Sequence, residues 1–447
     1  MSNPSSCSQT GVRQRANPVS AALVAPDAGT VPVMATLLLR NLIFGDSSAG
    51  ETGDLLIRDG SIVERGPALT FAPADEAEAE AHEEFDAAGL TALPGAIDAL
   101  APIGAPRGAG VPADDLGSGT IAAARGGVTT VAVPLVPSDR ETCDVAFHDA
   151  ERRASGAVFI DYVFLVGLGQ PLADTPERIR GVGYHVGFGG SYLDLDVTYQ
   201  AGTAGPGAHL RVAALGDVPI TVRMAGRLSG AGEKARLEAL TGLAALSDIA
   251  PHVLPLASAA AVDALPTTIA TGSTSIVHLC LGELPFNMRT APGLGTAEDR
   301  EALWAALVDG RLEGVVSDHR SEPLDGDSDW VGVASLELFV PALLSAGVAA
   351  GRIDLPTLCS IIGERPARRL GMWPKKGSLQ VGADGDVVLV DPSAVWTVDP
   401  TQLEGRGKAP AWHDLEMTGR VVHVFSRGQQ IVNDGFPLFR PGRGRPV

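Results

Sequence analysis

The sequence predicts an α/β protein, a (β/α)₈ barrel with a small β-sandwich built from both ends of the chain. From Leu93 to about Leu370, strand-like apolar runs such as VTTVAVPLV alternate with helical stretches, which is typical of parallel βα units. Short β-rich runs flank this region on both sides, and Asp59-Gly60 in the first flank predicts a tight turn between two strands. At 447 residues the chain is long enough for a barrel with a satellite domain.

The changes of pattern set the expected domain boundaries. Residues 1–35 are rich in Ser, Pro, Ala and Gly, which predicts a disordered extension with Met34 as a candidate initiator. We expect the first part of the sandwich at 36–92, the barrel at 93–374, and the second part of the sandwich with the C-terminal tail at 375–447.

Composition excludes several classes of function. The formal net charge of −19 repels phosphate backbones and anionic lipids, so nucleic acid and membranes are not expected partners. No run of eighteen apolar residues spans a bilayer, and no signal peptide pattern is present, so we expect a cytoplasmic protein. The cysteines predict neither a disulfide framework nor a thiolate zinc site, because no CxxC pair occurs among Cys7, Cys143, Cys280 and Cys359.

Three segments carry motifs of a known family. They are LPGAIDAL at 93–100, DDLGSGTIAAARGGVTTV at 114–131, and a helix and strand that end in Ser-Asp-His at 317–319. Together they resemble the cyclic-amide amidohydrolases, the group of dihydroorotase, dihydropyrimidinase and allantoinase. The likeness runs from Thr36 to Val447, and it implies the TIM-type barrel and β-sandwich of the amidohydrolase superfamily.

The resemblance also implies a binuclear zinc centre. In the family its ligands are a His-x-His pair, a carboxylated lysine, two further histidines and the aspartate of Ser-Asp-His. Only Asp318 of that set is present here, and a guanidinium does not coordinate metal. We therefore expect no zinc and no other cofactor. The ligand positions are occupied by Leu100, Pro102, Val186, Arg223 and Pro255.

Two substrate-binding arginines of the family are also replaced in this chain, by Gly104 and Gly295. Recognition of an orotate-type carboxylate is weakened as a result. The resemblance leaves Asn287 and His319 as candidates for substrate binding.

The remaining candidates for catalysis are Asp318, as an acid or base, and three residues that would support it. We expect Arg223 to replace part of the lost metal charge by pairing with Asp318 or Asp98. His185 and His278 lie near the ends of predicted strands. A mononuclear site built from histidines stays open beside the alternative that they are ordinary hydrogen-bonded strand-end residues.

These observations favour a catalytically inactive scaffold or regulatory partner in pyrimidine metabolism. By resemblance we expect a homo-oligomer and a protein partner such as aspartate carbamoyltransferase. The alternative is a metal-poor or metal-free hydrolase or cyclase of cyclic amides, of the dihydroorotase or hydantoinase type, that uses Asp318. An unimpaired dihydroorotase or hydantoinase would need histidines that this sequence does not place at the required positions.

Overall fold

The structure is a computed structural model. It describes residues 36–74, 76, 78, 82–104, 113–135, 143–167, 188–194, 219–224, 230–285, 288–321, 331–407, 409–438 and 442–447, with Leu193 as the one side chain described in 188–194. The predicted N-terminal extension, 1–35, lies outside these residues. Within the described ranges, every helix is too short or too polar to span a bilayer.

A β-sheet begins the described chain. Its first five strands are β1 (Thr36–Phe44), β2 (Thr52–Arg58), β3 (Ser61–Gly66), β4 (His82–Asp86) and β5 (Thr91–Pro94). The Asp-Gly turn predicted between β2 and β3 is confirmed. Asp59 has a φ of 54° and Gly60 a φ of 79°, the left-handed pair that a two-residue hairpin turn of type I′ requires.

Eight parallel strands follow, and they are hydrogen-bonded in chain order. The strands are β6 (Ala96–Asp98), β7 (Val128–Leu135), β8 (Asp161–Gly167), β9 (Phe188–Asp194), β10 (Ile220–Arg223), β11 (His252–Leu254), β12 (Thr271–Ser275) and β13 (Gly314–Val316). Their number, order and direction are those of the predicted barrel.

Helices lie between and after these strands. They are α1 (Leu116–Arg125), α2 (Cys143–Ala154), α3 (Ala231–Leu246), α4 (Ala259–Ala264), α5 (Ile276–Cys280), α6 (Ala297–Val308), α7 (Phe339–Leu343), α8 (Leu355–Cys359) and α9 (Arg365–Arg369), with π-helical turns at Leu344–Ala349 and Ser360–Glu364 and short 3₁₀ turns at Leu336–Leu338, Pro400–Gln402 and Pro410–Trp412. The cap of α1 shows how sequence sets a helix start, because Asp115 accepts a hydrogen bond from the Ser118 N–H at 2.8 Å.

The chain then returns to the first sheet through β14 (Val387–Thr397), β15 (Glu416–Ser426), β16 (Gln429–Asn433) and β17 (Phe436–Pro437). The sheet has nine strands in the order β17-β16-β15-β14-β5-β1-β2-β3, and β4 pairs with β1. The two halves meet where β5 runs antiparallel to β14, with Pro94 opposite Val387. Leu93 and Pro94, which the sequence pattern assigned to the barrel, therefore belong to this sheet, because the strand before Gly95 extends past the predicted boundary.

Apolar residues form separate clusters in the two sheets. In the nine-stranded sheet, Leu39, Ile57, Leu389 and Phe425 belong to one buried cluster, so strands from both chain ends share one core. In the parallel sheet, a second cluster joins residues of five strands and of the segment that follows β6: Ile97, Leu100, Ala132, Val163, Leu165, Leu254 and Val316. A third and larger cluster lies mainly between the strands and the helices around them.

Gly126, which ends α1, gives a test of this packing. A Cβ at this position would lie 2.1 Å from the carbonyl oxygen of Leu336, and backbone cannot move aside cheaply. We expect Gly126→Ala to lower the free energy of unfolding by about 1–3 kcal/mol. Chemical denaturation measures this. The control is Gly242→Ala inside α3, where a Cβ meets nothing within 4 Å, and there we expect a gain of about 0.5–1 kcal/mol.

Candidate functional site

Polar side chains gather at the carboxyl ends of the parallel strands. Asp98 is the last residue of β6, Arg223 is the last residue of β10, Ser317 and Asp318 follow β13, and His278 lies in α5 directly after β12. The carboxyl ends of parallel strands meet at one edge, which is where such folds place their sites. We call these five residues the strand-end cluster.

Arg223 and Asp318 form a buried ion pair with two parallel hydrogen bonds. Arg223 Nε donates to Asp318 Oδ1 at 3.0 Å, and Nη2 donates to Oδ2 at 2.9 Å. The guanidinium also donates to the carbonyl oxygens of Ala291, at 2.7 Å, and Met224, at 3.3 Å. Its side chain is 1% exposed and that of Asp318 is 10% exposed. The pairing expected from the sequence is thus present, and it is with Asp318.

Asp318 also has an unusual backbone conformation. Its φ is 45°, in the left-handed region that few residues other than glycine adopt. Aspartate enters this region more readily than most residues, and Asp59, Asp248 and Asp434 do so in this chain as well. Here the surroundings hold it, because the carboxylate is clamped by Arg223 and has Arg320 Nε at 3.7 Å.

Asp98 ties the first parallel strand to the last. Its carboxylate accepts hydrogen bonds from the Ser317 N–H at 3.0 Å, from the Leu100 N–H at 3.1 Å and, over a short distance, from the Ser317 hydroxyl. Burial raises the pKa of Asp98 to about 6, although these hydrogen bonds act to lower it. The residue is therefore a carboxyl group that can gain a proton under mildly acidic conditions.

His278 has protein partners at both ring nitrogens. Nδ1 lies 2.8 Å from the Ser275 hydroxyl, and Nε2 lies 3.1 Å from the carbonyl oxygen of Pro292. A carbonyl only accepts, so Nε2 carries the proton and Nδ1 accepts from the hydroxyl. Burial lowers the pKa of His278, which keeps the ring neutral. These contacts favour the structural role for this histidine over the catalytic one, and its part in catalysis remains a prediction.

His319 faces away from Asp318. Its Nδ1 accepts the N–H groups of Ser335 and Leu336, at 3.0 and 3.1 Å, and Nε2 lies 3.2 Å from a carboxylate oxygen of Asp114. The ring is 2% exposed. With both nitrogens engaged inside the protein, His319 links chain segments, and its predicted contact with substrate remains a prediction.

Asp114 and Glu337 hold a segment that the sequence did not single out. Asp114 accepts the N–H groups of Arg406 and Gly407, at 2.8 and 3.4 Å, and Glu337 accepts those of Glu404 and Gly405, at 2.8 and 3.2 Å. Burial raises the pKa of Glu337 to about 7, although the nearby charge of Arg125 opposes this rise. The pKa of Asp114 is lowered instead: burial acts to raise it, but the hydrogen bond from His319 helps to hold it low.

The positions matched to the family's metal ligands are apolar where the structure describes them. Leu100 is fully buried in the core inside the strands, beside Leu254 and Val316. Pro102 and Pro255 are buried as well. His185 and Val186, and the predicted substrate residue Asn287, lie outside the described residues.

Glycine replaces both substrate-binding arginines. A Cβ at Gly295 would lie 2.6 Å from the Ala257 carbonyl oxygen, so no larger side chain fits there without movement. Gly104 has a φ of 66°, a conformation that favours glycine.

The placement of His, Cys, Asp and Glu side chains decides whether the described residues fit a metal. Among them, one group brings three His, Cys, Asp or Glu ligand atoms within 4.8 Å of one another, and it consists of Asp161, Asp384 and Asp386. That group lies at the opposite, amino-terminal ends of the strands, because Asp161 begins β8. The described part of the strand-end cluster does not form such a set.

Comparison with known proteins finds hydantoinases among the chain's relatives. It is 26% identical over 458 residues to a D-phenylhydantoinase of Escherichia coli O1:K1 / APEC, which covers 92% of this chain and 97% of that protein. It is 27% identical over 460 residues to a D-hydantoinase of Geobacillus stearothermophilus, with coverage of 92% and 96%. No family model matches the chain.

Solved structures similar to this chain include a D-hydantoinase and a dihydropyrimidinase. A crystal structure of a D-hydantoinase matches with a TM-score of 0.81 and 25% identity, over 92% of this chain and 98% of that one. The dihydropyrimidinase from Brevibacillus agri NCHU1002 matches with a TM-score of 0.80 and 24% identity, over 92% and 98%, which shows the fold alone. The chain is a homologue of the cyclic-amide amidohydrolases, as the sequence motifs indicated. The relatives named here are hydantoinases and a dihydropyrimidinase.

One expectation from the sequence is wrong. We expected no metal, but the hydantoinases to which this chain is homologous are metal-dependent amidohydrolases. The expectation treated each replaced ligand position as decisive. The described strand ends of this chain do not gather three ligand atoms, and one of the replaced positions, Val186, lies outside the described residues.

The Arg223–Asp318 pair leads to a stability prediction. Arg223→Met removes the partner of a buried carboxylate and leaves that charge uncompensated, so we expect the free energy of unfolding to fall by about 3–5 kcal/mol. Urea denaturation measures this. In the exposed control Arg311→Met, which loses a surface pair with Asp309, we expect a change below about 1 kcal/mol. Equal effects of the two substitutions would contradict the buried pair.

Asp98 leads to a prediction about pH. Its pKa in the folded protein, about 6, lies above its ordinary value of 3.8, so the folded state holds the proton more tightly than the unfolded chain. The stabilisation from this proton is complete below about pH 4 and is lost as the pH rises through about 6. Between about pH 4 and about pH 7 the wild type should lose about 3 kcal/mol of unfolding free energy relative to Asp98→Asn. Parallel pH dependences in the two proteins would refute the raised pKa.

Proposed function

We propose that this protein is a hydrolase of cyclic amides of the hydantoinase type, built on a (β/α)₈ barrel, in which Asp318 transfers the proton. Its relatives support the class of reaction. The observation that carries the proposal is the geometry of Asp318. This carboxylate stands at the strand ends in a strained conformation and is held in one orientation by Arg223.

The reaction opens a ring by adding water across a carbon–nitrogen bond. The water oxygen bonds to the ring carbonyl carbon, the carbon–nitrogen bond breaks, and the nitrogen leaves with a proton. Asp318 accepts a proton from the attacking water and passes one to the nitrogen. Each carboxylate oxygen accepts one N–H of Arg223.

Arg223 fixes the direction and the charge of Asp318. Its two parallel hydrogen bonds align the carboxylate, and its other contacts, to Ala291 and Met224, hold the guanidinium itself in place. His185, if it lies at the strand ends as the sequence predicts, supports the same carboxylate. Asn287 is proposed to contact the substrate.

The described residues favour a substrate ring without a carboxylate of its own. Both positions at which the family has arginines to bind substrate are glycine in this chain, Gly104 and Gly295. The residues beneath the strand ends are apolar, including Leu100, Leu254 and Val316. A hydantoin or a dihydrouracil therefore suits this site better than dihydroorotate.

A second candidate is a scaffold without turnover, and the Arg223–Asp318 pair favours it as well. A base whose two oxygens already accept from a guanidinium gains less by accepting a further proton. In this case the chain would act as a homo-oligomer or with a protein partner in pyrimidine metabolism, such as aspartate carbamoyltransferase, and its surface would be the functional part.

Ring opening by the purified protein tests the proposal. Hydantoin, 5-phenylhydantoin, dihydrouracil and dihydroorotate are incubated with the full chain, with and without added Zn²⁺ or Mn²⁺, and products are separated by liquid chromatography. We expect opening of the first three rings. Asp318→Asn should lower kcat by about 10²–10⁴-fold, because it removes the proton-transferring group. Asp309→Asn, at the exposed end of α6, is the control with unchanged activity.

Two results would count against the proposal. If no ring opens under any of the metal conditions, the scaffold takes its place, and co-purification with aspartate carbamoyltransferase is the next measurement. If Asp318→Asn opens rings as fast as the wild type, the protein is a hydrolase but Asp318 is not its proton-transferring residue.

A further inference from the structure

Four consecutive backbone N–H groups of one loop bind two buried carboxylates. The loop joins β14 to β15 in the nine-stranded sheet, and we call its residues 404–407 the strap. The first two N–H groups of the strap donate to Glu337, at 2.8 and 3.2 Å, and the last two donate to Asp114, at 2.8 and 3.4 Å. Successive backbone N–H groups are a common means of binding anions, and here the anions are side chains of the same protein.

The two carboxylates belong to loops at the carboxyl ends of the parallel strands. Asp114 lies after β6, and Glu337 lies in the 3₁₀ turn after β13. Their side chains are 0% and 8% exposed. The N–H groups of the strap replace the water that these carboxylates lose on burial, and Arg125 Nη1 adds positive charge at 2.6 Å from Glu337. The strap and the two loops therefore hold one another in place.

His319 lies between the two loops that the strap joins. Its Nδ1 accepts the N–H groups of Ser335 and Leu336, directly before Glu337, at 3.0 and 3.1 Å. Nδ1 therefore carries no proton, and Nε2 donates to Asp114 at 3.2 Å. Since the strap binds both Asp114 and the turn that contains Glu337, it closes a ring of contacts around the imidazole.

These contacts reach Asp318 through the backbone. His319 directly follows Asp318, and its N–H donates to the Ser317 hydroxyl at 3.0 Å. Ser317 directly precedes Asp318 and is held by Asp98. The left-handed φ of Asp318, 45°, is thus set between two anchored neighbours. An uncommon backbone conformation persists where the surrounding structure over-determines it, and the strap supplies the contacts on the His319 side.

Gly407 sets how closely the strap approaches the strand ends. A Cβ at this position would overlap the Cβ of Ser321 and lie 2.9 Å from its Cα, so any side chain pushes the strap outward. Ser321 is itself fixed, because its hydroxyl oxygen accepts the N–H of Asp114 at 2.8 Å. At Gly405 a Cβ would lie 3.6 Å from the nearest atom, an oxygen of Asp114, which is an ordinary contact. The two glycines therefore differ in what an added methyl group does.

We propose that the strap positions Asp318. Its N–H groups hold Asp114 and the turn around Glu337, and these two hold His319. His319 in turn fixes the backbone from which the Asp318 carboxylate reaches Arg223. A loop of the nine-stranded sheet thereby takes part in the site on the parallel sheet. The role of Asp318 in proton transfer rests on the proposed function, whereas the link from the strap to His319 is independent of it.

Amide hydrogen exchange, followed by mass spectrometry, tests this link without any turnover. In Gly407→Ala we expect exchange about tenfold faster or more in the strap and at Ser335 and Leu336, whose N–H groups bind His319. The matched control is Gly405→Ala, in which both sets should exchange within about twofold of the wild type. Helix α6 is the internal reference and should be unchanged, because the release is local. Faster exchange in the strap without any change at Ser335 and Leu336 would overturn the proposal.

Turnover tests the consequence for Asp318. In the ring-opening assay, Gly407→Ala should lower kcat by about 10–100-fold while KM stays within about twofold, because a misdirected base slows proton transfer without weakening substrate binding. A strap that serves stability alone would lower the thermal midpoint and leave the kcat of the folded protein unchanged. Gly242→Ala, in α3, is the control with unchanged kcat. Equal kcat in Gly407→Ala and Gly242→Ala would contradict the positioning role.

Two further outcomes are separated by design. If Gly407→Ala does not fold, Glu337→Gln takes its place, because the new amide brings N–H donors to a position where Arg125 and the strap already donate. Its matched control in the exchange measurement is Glu404→Gln, on the strap itself. If the wild type opens no ring, the proposed function fails, and the exchange at Ser335 and Leu336 still decides whether the strap holds His319.

Discussion

The strand-end cluster depends on one buried carboxylate that joins the first parallel strand to the last. Asp98 ends β6, and its two oxygens accept the N–H and the hydroxyl of Ser317, which follows β13. These hydrogen bonds connect β6 and β13, the two end strands in the hydrogen-bonded order of the parallel sheet. Because Asp318 directly follows Ser317 in the chain, the hydrogen bonds between Asp98 and Ser317 also set the position of Asp318.

Buried ionic groups recur through the described molecule, and each has a different partner arrangement. Arg223 pairs with one carboxylate, Lys376 with three, and Glu337 with Arg125 and backbone N–H groups. A buried charge is tolerated only where a partner and hydrogen bonds replace water.

Much of this arrangement could be predicted from the sequence because its signals are local. Asp59-Gly60 requires a left-handed turn, and alternating apolar runs indicate parallel strands whose polar end residues share one edge. The pairing of Arg223 with Asp318 followed from chemistry, since a buried aspartate at a strand end needs a cation. The partnership of Asp114 with Arg406 and Gly407 could not be predicted, because nearly three hundred residues separate them and the contacts are to backbone, which carries no sequence signal.

The metal dependence of the relatives was the feature least accessible from single positions. A single replaced ligand position, such as Leu100 or Pro255, carries no information about the rest of the chain. Relatedness over 92% of the chain to metal-dependent hydantoinases is a property of the whole sequence, which single positions do not reveal.

The construction of the nine-stranded sheet from both chain ends bears on synthesis at the ribosome. Strand β5 is complete once Pro94 has emerged, but its partner Val387 is made nearly three hundred residues later. At about 5–20 residues per second, the newly made edge of β5 waits for roughly 15–60 s without its neighbour. During that interval it is an open template for pairing with another nascent chain. Fast synthesis or an early chaperone contact would thus matter more for the first hundred residues than for the parallel sheet that follows them.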